Sequence, residues 1–132
     1  QILSGWGAGS FRFIFPLFQE KHPKILWDRE DSYRHRMFWE HAHNDFLEFL
    51  AEFGIVGTLF LLSGLGYALV RSVKSYAWKN PLAFFILMGL CVTLLHSTVD
   101  FNFYNPAILT TWCVLLFATI RWVELEELAT GG

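Results

Sequence analysis

Two short stretches of this chain carry the side chains able to do acid–base chemistry. The first is His41, His43, Asn44 and Asp45, followed by Glu48 and Glu52; the second is His96, Ser97 and Asp100, with Asn102 and Asn105 close behind. An imidazole titrates near neutrality, so beside a carboxylate it is suited to take a proton from a hydroxyl. His43 is the candidate base, because it stands at the start of a long apolar run and precedes Asn44 and Asp45, both helix N-cap residue types. Glu48 and Glu52 lie three and seven residues beyond Asp45, a spacing that draws a polar stripe down one helix face. Such a stripe serves a proton transfer or merely lines a helix contact, and the residue types leave both open. His96 and Asp100 are spaced i, i+4 and share a face if their helix runs that far.

The elements that must position these groups follow from where charge stops. Only 17% of the 132 residues are charged against 54% apolar, while soluble domains carry about 25% charge. That balance excludes disorder, and a net charge of −2 leaves no basic footprint for nucleic acid. Uncharged runs of 18, 20 and 20 residues separate Glu52 from Arg71, Lys79 from Asp100, and Asp100 from Arg121. A helix needs about 20 mostly apolar residues to cross a ~30 Å hydrocarbon layer. The expected fold is therefore all-α, a polytopic membrane protein with three transmembrane helices at about 46–70, 82–99 and 106–123. Residues 1–45 form a long extracytoplasmic loop and 124–132 a C-terminal tail. Pro81 and Pro106 open their helices, where a missing N–H costs nothing. Arg71, Lys74 and Lys79 make a basic turn between the first two spans, which reads as cytoplasmic. The hairpin topology then returns His96–Asn105 to the same membrane face as residues 1–45. No starting methionine or signal peptide opens the chain, so it reads as the C-terminal part of a larger protein.

Several local patterns invite sharper readings. GWGAGSF has the G-x-G-x-G spacing of a phosphate cradle, but no strand precedes it and no Lys-Ser/Thr follows, so it reads as a turn allowing close backbone approach. His41-Ala42-His43-Asn44-Asp45 resembles the H-x-H-x-D of a metallohydrolase, yet Phe46 occupies the place of the next histidine. A metal site would have to draw on His22, His35 or His96 as well. No metal and no other cofactor is expected, and His41 reads as a ring at headgroup depth. Cys91 and Cys113 lie inside apolar runs and imply no disulfide framework.

Taken together, three motifs in order resemble the bacterial O-antigen ligase and polymerase family, which includes the pilin oligosaccharyltransferases. They are GWGAGSF with its following Phe15-Pro16; the His43-Asn44 pair, nine residues, then Gly54-x-x-Gly57; and HSTVDFNFYNPA from His96 to Ala107. The resemblance covers nearly the whole chain. It implies a metal-independent glycosyltransferase of the bacterial inner membrane with its active face periplasmic. The donor would be a glycan on undecaprenyl pyrophosphate, and the acceptor a hydroxyl of lipid A-core, another glycan or a protein. By the same resemblance His43 carries catalysis, Asn44, Asp45, Glu48, His96 and Asp100 support it, and arginines bind the donor pyrophosphate. Arg12, Arg34 and Arg36 are the arginines present for that role. Two rivals are a small-anion transporter and a non-catalytic module for polysaccharide assembly. A transporter usually shows broken or polar positions at mid-span, and here only Gly64 and Gly66 do so.

Overall fold

A computed structural model describes residues 1–22 and 38–130. Among these the regular structure is entirely helical: α1 (Phe11–Gln19), α2 (Asp45–Lys74), α3 (Pro81–His96) and α4 (Pro106–Thr130), with single 3₁₀ turns at Ala77–Lys79 and Asn102–Tyr104. The three long helices all open on an asparagine. The Asn44 side chain accepts from Leu47 N–H at 2.9 Å, Asn80 from Leu82 and Ala83 N–H at 3.1 and 3.2 Å, and Asn105 from Ala107 N–H at 3.0 Å. Each cap takes up backbone donors that a helix start leaves unpaired. For α3 and α4 the next residue is proline, already set in the helical φ.

Two of the three expected spans are long and apolar enough to cross a membrane, α2 with 30 residues and α4 with 25. The third, α3, has 16 residues, which at 1.5 Å per residue reaches about 24 Å. It stops at His96, short of the expected 99, where Ser97 and Thr98 turn their hydroxyls back onto the carbonyls of Leu94 and Leu95 at 2.9 and 2.7 Å. At the other extreme α4 runs to Thr130, so most of the segment expected as a tail continues the helix. Glu124 and Glu126 explain this extension: Glu124 pairs with Arg71 of α2, and Glu126 accepts from the Asn80 side chain at 2.9 Å.

The helices pack through a small apolar core of Ala68, Leu90, Trp112, Leu116 and Ile120. The Trp112 indole N–H donates to Leu90 O at 3.1 Å, so its one polar atom is satisfied inside that core. Polarity is otherwise inverted relative to a water-soluble bundle. Phe60, Leu69, Phe85 and Leu95 lie outward and exposed, whereas Gln19, Glu48, Glu52 and Ser97 are the largest side chains fully enclosed.

One break interrupts α2. Gly54 has φ 65° and ψ −170°, a conformation essentially confined to glycine. The backbone groups freed there pair with the N-terminal turn: Trp6 N–H donates to Ala51 O at 3.2 Å and Gly7 N–H to Glu52 O at 2.8 Å, while Ile55 and Val56 N–H donate to Ile2 and Leu3 O at 3.0 and 3.1 Å. Gly5 faces this break so closely that a Cβ on it would overlap the Glu52 carbonyl, and one on Gly54 would overlap Gly5 and Leu3. The close approach expected of the GWGAGSF turn is thus to the body of α2.

Candidate functional site

The two polar stretches meet at one end of the bundle. Asp45 N–H donates to Ser97 O at 2.9 Å, and the Asn44 side-chain amide donates to Thr98 O at 2.7 Å, tying the start of α2 to the end of α3. Asn44 therefore spends both ends of its side chain on structure, one as cap and one as clamp.

The acidic stripe of α2 resolves into three separate grips on three segments. Asp45 Oδ2 accepts from Phe103 N–H at 3.1 Å, holding the turn between α3 and α4. Glu48, 1% exposed, accepts from Ala42 N–H at 2.7 Å with Oε2 and meets His41 Nδ1 at 2.9 Å with Oε1. Glu52, 2% exposed, accepts from Phe11 N–H at 3.1 Å and from the Tyr104 hydroxyl at 2.7 Å. That contact supplies the cap of α1 that its own Ser10 side chain does not make. Burial raises the Tyr104 phenol above its ordinary range, and the bond to the Glu52 carboxylate raises it further.

Two cavities open beside this stripe and share Tyr104. One is a cleft of about 480 Å³ lined by His41, Asp100, Phe101, Asn102, Tyr104 and Asn105. The other is an apolar chamber of about 330 Å³ between the helices, walled by Phe46, Phe49, Leu94 and Trp112, with Asp45 and Glu52 among its lining. His41 stacks on Phe101 with ring centroids 4.6 Å apart and lies 5.0 Å from Tyr104. His43 meets Phe101 edge-on at 5.0 Å and Trp39 at 6.2 Å. Its backbone is left-handed, φ 50°, and its ring is exposed without a hydrogen bond to any described residue.

The expected supporting residues divide accordingly. Asp100 lines the cleft, and its Oδ2 faces His96 Nε2 at 3.4 Å although α3 has already ended at His96. His96 itself stays outside the cleft lining. Arg12 sits on the exposed side of α1, 3.5 Å from Glu40 and over the Phe13 ring, and lines neither cavity. Arg34 and Arg36 lie outside the described residues. No group of three His, Cys, Asp or Glu among the described residues is placed to hold a metal ion.

No family model, no curated protein and no solved structure matches this chain. The site accordingly rests on its geometry. The expectation of His41 as a ring at headgroup depth does not anticipate its contact with Glu48, and Phe101 and Tyr104, which line the cleft beside it, were not among the expected site residues. The signal for His41 was its i, i+7 spacing to Glu48, which becomes a contact because the turn at His43 folds the segment back along α2.

Proposed function

We propose that this chain is part of a membrane glycosyltransferase that moves a glycan from a lipid pyrophosphate, undecaprenyl in the family it resembles, to an acceptor hydroxyl. The observation that carries this reading is the pairing of a polar, aromatic-lined cleft with an apolar chamber at the same end of two membrane-length helices. A lipid-linked sugar needs both environments within one molecule's reach. Asp100, Asn102 and Asn105 supply the donors and acceptors that hydroxyl-rich rings require, and Phe101 and Tyr104 supply flat faces.

The chemistry asks little of the protein. Pyrophosphate is a good leaving group, so a base for the acceptor and positive charge for the departing phosphates suffice. The imidazoles at the His41–His43 corner are the bases within reach of the cleft, His43 being the one singled out by the family motif. All three membrane spans, including the short α3, and a periplasmic active face belong to this reading. The outward Phe60, Leu69, Phe85 and Leu95 then face lipid.

The test uses the full-length protein in a strain deleted for its own copy. Complementation with wild type should restore long-chain or ligated surface glycan, and a His41→Ala/His43→Ala double variant of equal membrane abundance should instead accumulate lipid-linked donor. A normal glycan ladder from that double variant would remove the transferase reading and bring transport or scaffolding forward.

A further inference from the structure

Helix α1 has nine residues, and an isolated helix shorter than about 12 is marginal in water. Its start is held from outside, by the Glu52 carboxylate on Phe11 N–H at 3.1 Å. Its faces are the reverse of what water would select. Gln19 is 1% exposed, whereas Phe13 and Leu17, one turn apart on the outer face, are 63% and 61% exposed. Phe11, Ile14 and Phe15 instead look onto Ala51 of α2 across a hollow of about 110 Å³.

The height of α1 along α2 decides which solvent that outer face meets. Glu52, which holds the first residue of α1, and Arg71 bracket 18 uncharged residues. That run makes about 27 Å of helix, against a hydrocarbon layer of ~30 Å. Glu52 therefore marks the level where acyl chains give way to headgroups, and α1 begins at that level. The flanking side chains agree. Lys21 Nζ lies over the Phe18 ring at 5.9 Å, and Arg12, 3.5 Å from Glu40, lies over the Phe13 ring at 4.7 Å. Trp6 is exposed beside them. The far end of α2 carries a matching set, with Tyr76 edge-on to Trp78 and Lys79 over the Tyr76 ring. Aromatic and basic side chains gather at both interfaces of a bilayer.

We propose that α1 is a lipid-binding helix that lies in the membrane surface at the cleft end of the bundle. Phe13 and Leu17 enter the acyl chains, while Arg12 and Lys21 keep their charges among the headgroup phosphates and lay their stems along the rings. Glu52 accepts from both α1 and the Tyr104 hydroxyl, so the seated helix fixes the height of the polar cleft relative to the headgroups. The inference rests on the membrane spans and is independent of any transfer chemistry.

The test places a nitroxide label at Phe13→Cys in the full-length protein, with Cys91 and Cys113 replaced by alanine, in phospholipid vesicles. Collisions with oxygen, which concentrates in acyl chains, are compared with those of a water-soluble nickel chelate. The label should favour oxygen several-fold and report a depth of about 5–10 Å below the phosphates. Leu17→Cys reads the same face and serves should the first variant fail to insert. Phe60→Cys marks deep lipid, and Thr130→Cys marks water. A mobile label at 13 and 17 open to the nickel chelate, as at 130, would put the face in water and overturn the proposal. A label immobilised and shielded from both reagents would also overturn it, because protein rather than lipid then covers α1. Should Phe60→Cys itself read as water, the membrane reading falls; lipid at 60 without lipid at 13 and 17 removes only the role of α1.

Discussion

The two ends of the bundle handle carboxylates in opposite ways. At one end Asp45, Glu48 and Glu52 are enclosed and direct their oxygens mainly at backbone N–H groups of other segments. At the other, Glu124 meets Arg71 and Arg121 in a partly open ion-pair group, Arg71 also reaches the Tyr67 hydroxyl, and Lys79 lies over the Tyr76 ring at 4.2 Å. The first arrangement fixes positions, because a buried acceptor left empty is costly and few geometries satisfy it. The second only has to keep charge at a surface, and exposed pairs contribute about 0–1 kcal/mol. The contrast separates a place where segments are held in register from a place where helices end.

Substitutions break that comparison in a graded order. The largest effect is expected at the helix break: Gly54→Ala should lose about 3 kcal/mol or more through overlap with Gly5 and a φ that alanine disfavours. Gly64→Ala, with open space around it in the same helix, should instead gain roughly 0.5–1 kcal/mol. Thermal midpoints of the two variants in detergent would show the difference directly, and equal midpoints would mean that the break is not glycine-dependent. Glu52→Ala comes next, at about 2–3 kcal/mol, because Phe11 N–H and the Tyr104 hydroxyl both lose their acceptor. Protease accessibility of residues 1–22 should rise in that variant and stay low in wild type.

Tyr104→Phe should cost about 1–2 kcal/mol, leaving one Glu52 oxygen without its donor. The same residue makes stability depend on alkaline pH. Its phenol is raised in the folded state, so its contribution is complete below about pH 10, the unfolded tyrosine value, and is lost as pH climbs toward the higher folded value. Alkaline unfolding curves of wild type and Tyr104→Phe should therefore converge above that pH; parallel curves would show that Tyr104 titrates normally. The smallest effect belongs to the opposite end, where Arg71→Gln should leave the thermal midpoint close to that of wild type, because exposed ion pairs contribute little. A loss as large as that of Glu52→Ala would erase the distinction between the two ends.

What was legible in the sequence is mostly local. Asn-Pro at 80–81 and 105–106 marks two helix starts through cap chemistry and proline geometry, both readable within a few residues. The apolar runs mark the helices, though not that hydroxyls at Ser97 and Thr98 would end α3 early. The stripe of Asp45, Glu48 and Glu52 is equally readable as a face. Its partners are not, because they come from residues 41 and 52 positions away for Glu52 alone. Of its two initial meanings the structure shows that the stripe lines contacts, one of them between Glu48 and the His41 ring. Gly54 and Gly57 stand in the motif as two like glycines, yet only Gly54 has a positive φ. No local rule separates them before the N-terminal turn is in place.

That turn has a consequence for the order of assembly. The carbonyls of Ala51 and Glu52 and the N–H groups of Ile55 and Val56 find their partners in residues 2–7, which a ribosome makes before any of α2. A buried backbone group left without a partner costs about 1–3 kcal/mol, so the bend at Gly54 depends on residues 2–7 being docked against it. The N-terminal turn is thus a keystone, and the bent form of α2 is complete only with it in place.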